Sequence, residues 1–123
     1  MVARVQNNGL ANITAALVAS GTNPMQYLQW GTGTGAIASA NVVTTAASEA
    51  RTAGTRSQQT TTVSNDTFQV VGTIVCAGAG KTISEVGVMD ASTAGNLDIY
   101  FDFTGVALLV GDSIAFTTKV SFV

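Results

Sequence analysis

The sequence predicts an all-β chain: an antiparallel β-sandwich or jelly roll with a short N-terminal helix and a long loop or arm. Apolar and polar residues alternate with period two through most of the second half of the chain, which is typical of strands with one buried face. Turn residues interrupt this alternation at short intervals, and no helical pattern separates the predicted strands, so we expect antiparallel sheets. The length of 123 residues is that of one domain, residues 1–123.

The N-terminal segment, residues 1–24, is predicted to contain the helix. An asparagine, Asn7 or Asn8, can cap the start of this helix, and Gly21 can cap its end. Between these caps, four apolar residues recur at helical spacing: Leu10, Ile13, Leu17 and Val18.

A strand and a long arm are predicted to follow the helix. Residues 25–30 form the strand, with Trp30 as a large core anchor, and the glycine-rich residues 31–35 leave it. Residues 36–56 are mostly Ala, Ser, Thr and Asn, side chains too small to anchor a core. We therefore expect residues 36–56 to be an extended arm.

The rest of the chain is predicted to be a series of strands joined by turns at 65–66, 78–81, 91–96 and 111–112. The apolar side chains of the last two strands alternate toward one face, among them Phe101, Phe103, Phe116 and Phe122, so we expect this face to be buried. Cys76 alternates with apolar neighbours and is predicted to be a buried, inert thiol. The strands are predicted at residues 55–63, 68–77, 82–89, 97–104 and 113–122.

The composition favours a protein that assembles. Charged residues make up 10% of the chain, against roughly 25% in typical soluble domains. A neutral, Thr-rich surface gives weak repulsion between molecules and suits burial against other subunits. We therefore expect an oligomer.

Charge and hydropathy argue against nucleic-acid and membrane partners. The formal net charge is −2, and the five basic residues are scattered along the chain, whereas nucleic-acid binding needs several placed together to neutralise phosphates. The longest apolar runs are far shorter than the roughly 18 to 20 residues that span a bilayer, and no signal segment opens the chain. The single cysteine excludes an internal disulfide.

Two glycine-containing motifs suggest phosphate or cofactor binding but lack its context. Gly80-Lys81-Thr82 looks like the end of a phosphate-binding loop, but a strand pattern rather than a helix follows it, so we interpret it as a hairpin turn. Residues 31–36 fit a loose dinucleotide-binding fingerprint, but no helical apolar stripe follows them. We predict no cofactor.

Catalytic and metal chemistry have little support. The chain has no histidine, so neither a serine nor a cysteine nucleophile has the usual general base. Glu85 and Asp102 could approach across neighbouring strands as a carboxylate pair, although a salt bridge or a cap is more common. Asp90 near Asp98 could form a weak calcium site, although solvated surface or a subunit contact is the better interpretation. We predict no catalytic residue and no metal, and hence no enzyme.

Three segments together resemble a domain of tailed-bacteriophage virion proteins. In residues 27–35 a strand runs into a Gly-Thr repeat, residues 83–90 contain the phrase Ile-Ser-Glu-Val-Gly, and residues 111–114 are Gly-Asp-Ser-Ile. Between the first two segments, a Thr- and Ser-rich arm carries a glutamate and an arginine, here Glu49 and Arg51.

Proteins similar to this chain are either capsid cement (decoration) proteins or domains of tail fibres and tail tips. The chain has neither an attachment segment nor a long repetitive stalk, so we expect the decoration type. The resemblance then implies a jelly-roll homotrimer that bridges capsomers and stabilises the head. Its partners would be copies of itself and the major capsid protein, and its location the phage head surface after assembly in the host cytoplasm.

The alternative is a carbohydrate- or receptor-binding domain of a tail fibre or tail tip, with Trp30, Tyr27 and Tyr100 as stacking platforms. Aromatic residues are only 7% of the chain, and most of them are predicted to point into the core.

For the decoration type, the arm is the predicted contact with the capsid. Ordering a flexible arm costs roughly 1 to 2 kcal/mol per residue, so it becomes favourable only when the arm buries surface on a partner. Arg51 and Arg56 are expected to pair with acidic groups there. The candidate partner-binding residues are Ala38, Asn41, Val42, Val43, Glu49, Arg51 and Arg56.

Overall fold

The computed structural model describes residues 3–35 and 42–122. The chain is mostly β with one short helix, as the sequence predicts. In chain order the elements are α1 (Asn7–Ala19), β1 (Tyr27–Gly31), β2 (Thr52–Ala53), β3 (Thr55–Gln59), β4 (Thr67–Val75), β5 (Lys81–Met89), β6 (Leu97–Leu108) and β7 (Ser113–Ser121).

The strands form two antiparallel sheets. The four-stranded sheet has the order β2-β1-β5-β6, and the three-stranded sheet has the order β3-β4-β7. The β4–β7 pair keeps one register over nine residues, from Thr67 opposite Ser121 to Val75 opposite Ser113. The β5–β6 pair is irregular, with register shifts between Ile83 and Glu85 and between Val88 and Met89.

Two of the predicted turns prove to be crossings between the sheets. Residues 76–80 connect β4 in the three-stranded sheet to β5 in the four-stranded sheet, so the hairpin predicted at Gly80-Lys81-Thr82 is wrong. Residues 109–112 make the reverse crossing, from β6 to β7. The two crossings lie side by side: Cys76 N–H donates to the Asp112 carbonyl at 2.7 Å, and Gly111 N–H donates to the Cys76 carbonyl at 2.9 Å.

One apolar core draws side chains from both sheets. Trp30 from β1 meets Phe116 from β7 edge to face, with ring centroids 6.3 Å apart. Cys76 is a buried free thiol, as predicted. The predicted inward alternation on β6 and β7 is confirmed, since Phe101, Phe103 and Phe122 pack partly buried against the core. The buried members are Leu28, Trp30, Phe68, Val70, Ile74, Cys76, Ile83, Val86, Val88, Leu108 and Phe116.

The helix lies against the three-stranded sheet through polar contacts as well as apolar ones. Leu10 is buried as predicted, but Ile13 of the predicted stripe is 36% exposed while Thr14 is fully buried. The Thr14 hydroxyl donates to the Asn65 carbonyl at 2.6 Å and accepts from the Gln58 amide at 2.8 Å, which removes the cost of burying it. Across the described residues, no helix has the length and apolar character needed to cross a membrane.

Candidate functional site

The last residues of the predicted arm, 36–56, belong to the sheets instead, since Thr52–Ala53 form β2 and Arg56 lies in β3. The rest of the arm lies in the segment that joins β1 to β3, residues 32–54, called here the connecting segment. Its first half is a loop with a closed base. Gly31 and Ala46 form an isolated β-bridge, Thr32 N–H donates to the Thr45 carbonyl at 2.9 Å, and Ala47 N–H donates to the Trp30 carbonyl at 3.1 Å. The chain therefore leaves and returns to the four-stranded sheet at one place.

Val43 fixes the returning part of this loop to the sheet. It is fully buried, and its N–H donates to the Gln29 side-chain oxygen at 3.1 Å. A Cβ built on Gly31 or on Gly87 would lie 2.9 Å from a Val43 methyl group, so this valine occupies space that two glycines leave open. The structure differs here from the predicted extended arm, because from Val43 onward the segment packs on the body.

The other candidate residues of the loop are placed differently. Val42 is 46% exposed and is presented to solvent beside the buried Val43. Ala38 and Asn41 lie outside the described residues.

A buried carboxylate, that of Glu85 on β5, lies beneath the loop. It is fully buried and accepts hydrogen bonds from Thr45 N–H at 3.1 Å and the Tyr100 hydroxyl at 3.4 Å. A Cβ on Gly31 or Gly33 would lie 2.9 Å from one of its oxygens. The Gly-Thr repeat therefore allows the loop backbone to approach this carboxylate closely.

The neighbour of Glu85 in sequence binds the same loop. The Ser84 hydroxyl donates to the Gly33 carbonyl at 2.7 Å. Ser84 of the Ile-Ser-Glu-Val-Gly phrase thus binds the Gly-Thr repeat directly, and Glu85 binds the returning side of the same loop at Thr45. Two of the three segments that suggested the phage resemblance therefore lie in contact.

The predicted approach of Glu85 and Asp102 occurs, since the two residues are direct partners across β5 and β6. Both carboxylates hold the loop: Asp102 accepts from Gly35 N–H at 3.2 Å, as Glu85 does from Thr45. Glu85 is covered by the loop, so the pair is not presented together to a substrate.

Glu49 is the centre of a partly buried ion pair. Its carboxylate accepts from Trp30 Nε1 at 2.8 Å and from Ala77 N–H at 2.9 Å, and it pairs with Lys81. Burial by itself would raise the pKa of Glu49, but the Ala77, Lys81 and Trp30 donors outweigh burial and lower it to about 2. The network joins the connecting segment to β1, β5 and the 76–80 crossing.

Arg51 binds the turn of the β5–β6 hairpin. Its Nη1 donates to the Ala91 carbonyl at 2.8 Å and to the Ala94 carbonyl at 2.6 Å. Asp90 at the start of this turn accepts from the backbone and side chain of Asn96. These two bonds, helped by the Arg51 charge, lower the pKa of Asp90.

Arg56 binds the end of α1. Its Nη1 donates to the Leu17 carbonyl at 3.0 Å and to the Ser20 carbonyl at 2.6 Å, which lie at the negative end of the helix dipole. Glu49, Arg51 and Arg56 therefore all make contacts within the chain, and their role in binding a partner stays a prediction.

The carboxylates considered for calcium lie at the same hairpin. Burial raises the pKa of Asp98, and the charge of Asp90 raises it further, which is the behaviour of two like charges close together. Within residues 3–35 and 42–122 no three Asp, Glu, Cys or His side chains are grouped so that they could hold a metal ion.

The aromatic side chains considered for sugar stacking are largely covered. Trp30 is 1% exposed, and its indole N–H is bound to Glu49. Tyr27 and Tyr100 are partly buried. Trp30 is a core anchor, as predicted.

No model of a known protein family, no curated protein and no solved structure matches this chain.

Sequence reasoning missed two anchors of the connecting segment: Lys81 was not considered for this role, and Val43 was predicted to contact a partner, whereas the structure buries it within the chain. Val43 stands in a stretch of small residues that gives no strand or helix pattern, and the glycines beneath it belong to other segments. For Glu85 a signal was available, because a carboxylate between Ile83 and Val86 in an apolar strand is expected to be buried. A buried carboxylate in turn needs hydrogen-bond donors from other segments.

Proposed function

We propose that this chain is a non-enzymatic structural protein of a tailed-bacteriophage virion, a cement (decoration) protein that stabilises the head by bridging capsomers. The observation that carries the proposal is that Ser84 binds the Gly-Thr repeat at Gly33 while Glu85 binds Thr45 on the returning side of the same loop. Two sequence segments that resemble the phage domain are far apart in the chain, and the fold brings them into contact where β5 holds the loop.

In this proposal the loop is the contact with the major capsid protein. Its base is closed by backbone bonds and its underside is held by Glu85, so binding orders fewer residues than a free arm would require, and its entropic cost falls. Exposed Val42, with Ala38 and Asn41, touches the capsid. Glu49, Arg51 and the buried Val43 position the connecting segment, and Arg56 holds α1 to the body. Many weak copies then add up on a shell through multivalency.

The body of the proposed protein is a β-sandwich of the jelly-roll type that assembles as a homotrimer. The idea is supported by two antiparallel sheets that share one core and by the low content of charged residues, 10%. The sandwich is the rigid support from which the loop is presented.

The decisive measurement is the molar ratio of this chain to the major capsid protein in purified particles, by quantitative mass spectrometry. A ratio near one, or a simple fraction such as a third, supports a shell protein. A ratio of a few per cent moves the chain to the tail and favours receptor binding, and absence from particles refutes both.

A single substitution tests the loop as the capsid contact. Val42→Asp places a charge at the proposed contact, and we expect binding to capsids stripped of this protein to weaken at least about tenfold, which is about 1.4 kcal/mol. Val71→Asp, at a valine that is 37% exposed on the three-stranded sheet, is the matched control and should bind as the unaltered chain does. Equal binding by the two variants would mean that the loop is not the contact.

A further inference from the structure

An apolar groove opens between β6 and β7. Each of these strands is the last strand of its sheet, so each pairs on one side only. The groove between them has a volume of about 540 Å³ and is lined by ten residues that carry no charge. The largest lining side chains are Val86, Phe101, Phe103, Val106, Ile114 and Phe116.

The two edges are long and lightly protected. β6 has twelve residues and β7 has nine, and an unpaired edge of this length offers a row of N–H and C=O groups to another strand. Proteins commonly block such edges with proline or with charged residues. The single proline of the chain, Pro24, is in neither strand, and the charges are limited to Asp98, Asp102 and Lys119.

Three exposed apolar side chains follow one another along the end of β6 and the crossing that leads to β7. Val106 on β6 is 43% exposed, and Leu109 and Val110 in the adjoining crossing are 74% and 58% exposed. Contiguous exposed apolar surface marks an interface more often than single exposed residues do.

The charges on the two edges indicate which strands come together. β6 exposes Asp98 and Asp102, and β7 exposes Lys119. Pairing β6 with β6 of a second copy would bring four carboxylates together. Asp98 is already repelled by the nearby charge of Asp90, so this arrangement is disfavoured. Pairing β6 with β7 of a second copy brings carboxylates toward a lysine, so this arrangement is favoured.

We propose that the open edge binds a second copy of this chain, with β6 of one copy pairing with β7 of the other so that the apolar grooves close on each other. This interface rests on the proposed function, which includes self-association, and it identifies the surface through which the copies associate. Since the contact joins two different strands, it can close into a ring such as a trimer.

The first test is the mass of the purified full chain across a range of concentrations, by sedimentation equilibrium. We expect a defined oligomer. Val106→Asp puts a charge in the interface and should raise the dissociation constant at least about tenfold. Val71→Asp, at a valine of similar exposure (37% against 43%) on the central strand β4 rather than on an edge strand, should leave it unchanged. Far-UV circular dichroism checks that both variants are folded. A monomer at every concentration, or equal dissociation constants for the two variants, would overturn the proposal.

The second test exchanges the charges. Asp98→Lys alone and Lys119→Asp alone should each weaken the oligomer at low salt, and the double variant should regain most of the loss. The effect should shrink as salt screens the charges. A double variant no stronger than either single variant overturns the β6–β7 arrangement.

These measurements separate the two proposals. An oligomer that dissociates on Val106→Asp but is absent from phage particles refutes the proposed function and leaves the interface standing. A chain that is monomeric in solution but stoichiometric on capsids overturns the interface alone.

Discussion

At the scale of single residues, the contact between Glu85 and two glycines determines how the loop is held. A Cβ on Gly31 would press against the Thr45 carbonyl oxygen and lie 2.9 Å from Glu85 Oε1. Because the first of these neighbours is backbone, a side-chain rotation cannot relieve the clash. Gly31 is therefore a position where added bulk cannot be accommodated without moving the backbone.

We predict that Gly31→Ala lowers the free energy of unfolding by about 1 to 3 kcal/mol, the usual cost of forced overpacking. Chemical denaturation measures it. The matched control is Gly21→Ala, where a Cβ would meet nothing within 4 Å, and a small gain of about 0.4 to 1 kcal/mol is expected there. Similar unfolding free energies for the two variants would show that the loop backbone shifts at little cost to accommodate the added methyl group.

The low pKa of Glu49 predicts how stability depends on acid. Its pKa is about 2 in the folded chain, against an ordinary value of 4.5, so between these values the unfolded chain binds more protons. The free energy of unfolding should therefore fall as the pH falls from about 4.5 to 2. Asp66, whose pKa is also lowered by backbone donors that outweigh its burial, acts in the same direction.

We predict that Glu49→Gln reduces the slope of the unfolding free energy against pH in this range. The reduction corresponds to at most one proton fewer taken up on unfolding, and denaturation at a series of pH values measures it. The variant should also be less stable at neutral pH, because Lys81 loses its counter-ion. An unchanged slope would assign the acid sensitivity to other carboxylates.

Residue types predicted some contacts and could not predict others. The approach of Glu85 to Asp102 and the burial of Cys76 were predicted because alternation along a strand assigns each side chain to a face. The packing of Val43 over Gly31 and Gly87 was not, because it depends on three segments that only the folded chain brings together.

At the scale of elements, α1 depends on a residue that lies outside it. The helix has no basic residue in its last turn, and Arg56 from β3 binds the Leu17 and Ser20 carbonyls instead. One side chain therefore both caps the helix and attaches it to the three-stranded sheet.

We predict that Arg56→Gln lowers the free energy of unfolding by about 1.5 to 3 kcal/mol, the range for hydrogen bonds to a charged group. The substitution should accelerate amide hydrogen exchange more in α1 than in β4. Arg4→Gln, at an exposed arginine, is the control and should change stability by less than about 0.5 kcal/mol. If α1 keeps its protection in the Arg56 variant, Gln58 and Thr14 are enough to hold the helix.

The positions of elements were easier to predict than their partners. Six of the seven strands and the helix were predicted near their observed bounds, because hydrophobic period and turn residues are local signals. The two-residue strand β2 carries no such signal. The crossings at 76–80 and 109–112 resemble hairpin turns in sequence, and only the packing of the two sheets distinguishes them.

At the scale of the whole molecule, one side chain reports on the contact between the sheets. Trp30 is the only tryptophan, is 1% exposed and meets Phe116 of the other sheet edge to face. Its fluorescence therefore follows the separation of the sheets rather than the loss of strands.

We predict that denaturant transitions followed by Trp30 fluorescence and by far-UV circular dichroism coincide, because one shared core makes unfolding cooperative. A fluorescence change at lower denaturant would mean that the sheets part before the strands unfold.

The pairing of β4 with β7 has a consequence for how quickly the chain reaches its final form. Thr67 finds its partner at Ser121, and the β5–β6 hairpin, which belongs to the other sheet, is made of the residues between them. The three-stranded sheet thus cannot be completed until β4 and β7 meet across the long intervening loop. Closing this loop costs conformational entropy before the strand contacts form. Refolding should accordingly take milliseconds to seconds, the pace of proteins rich in distant pairings.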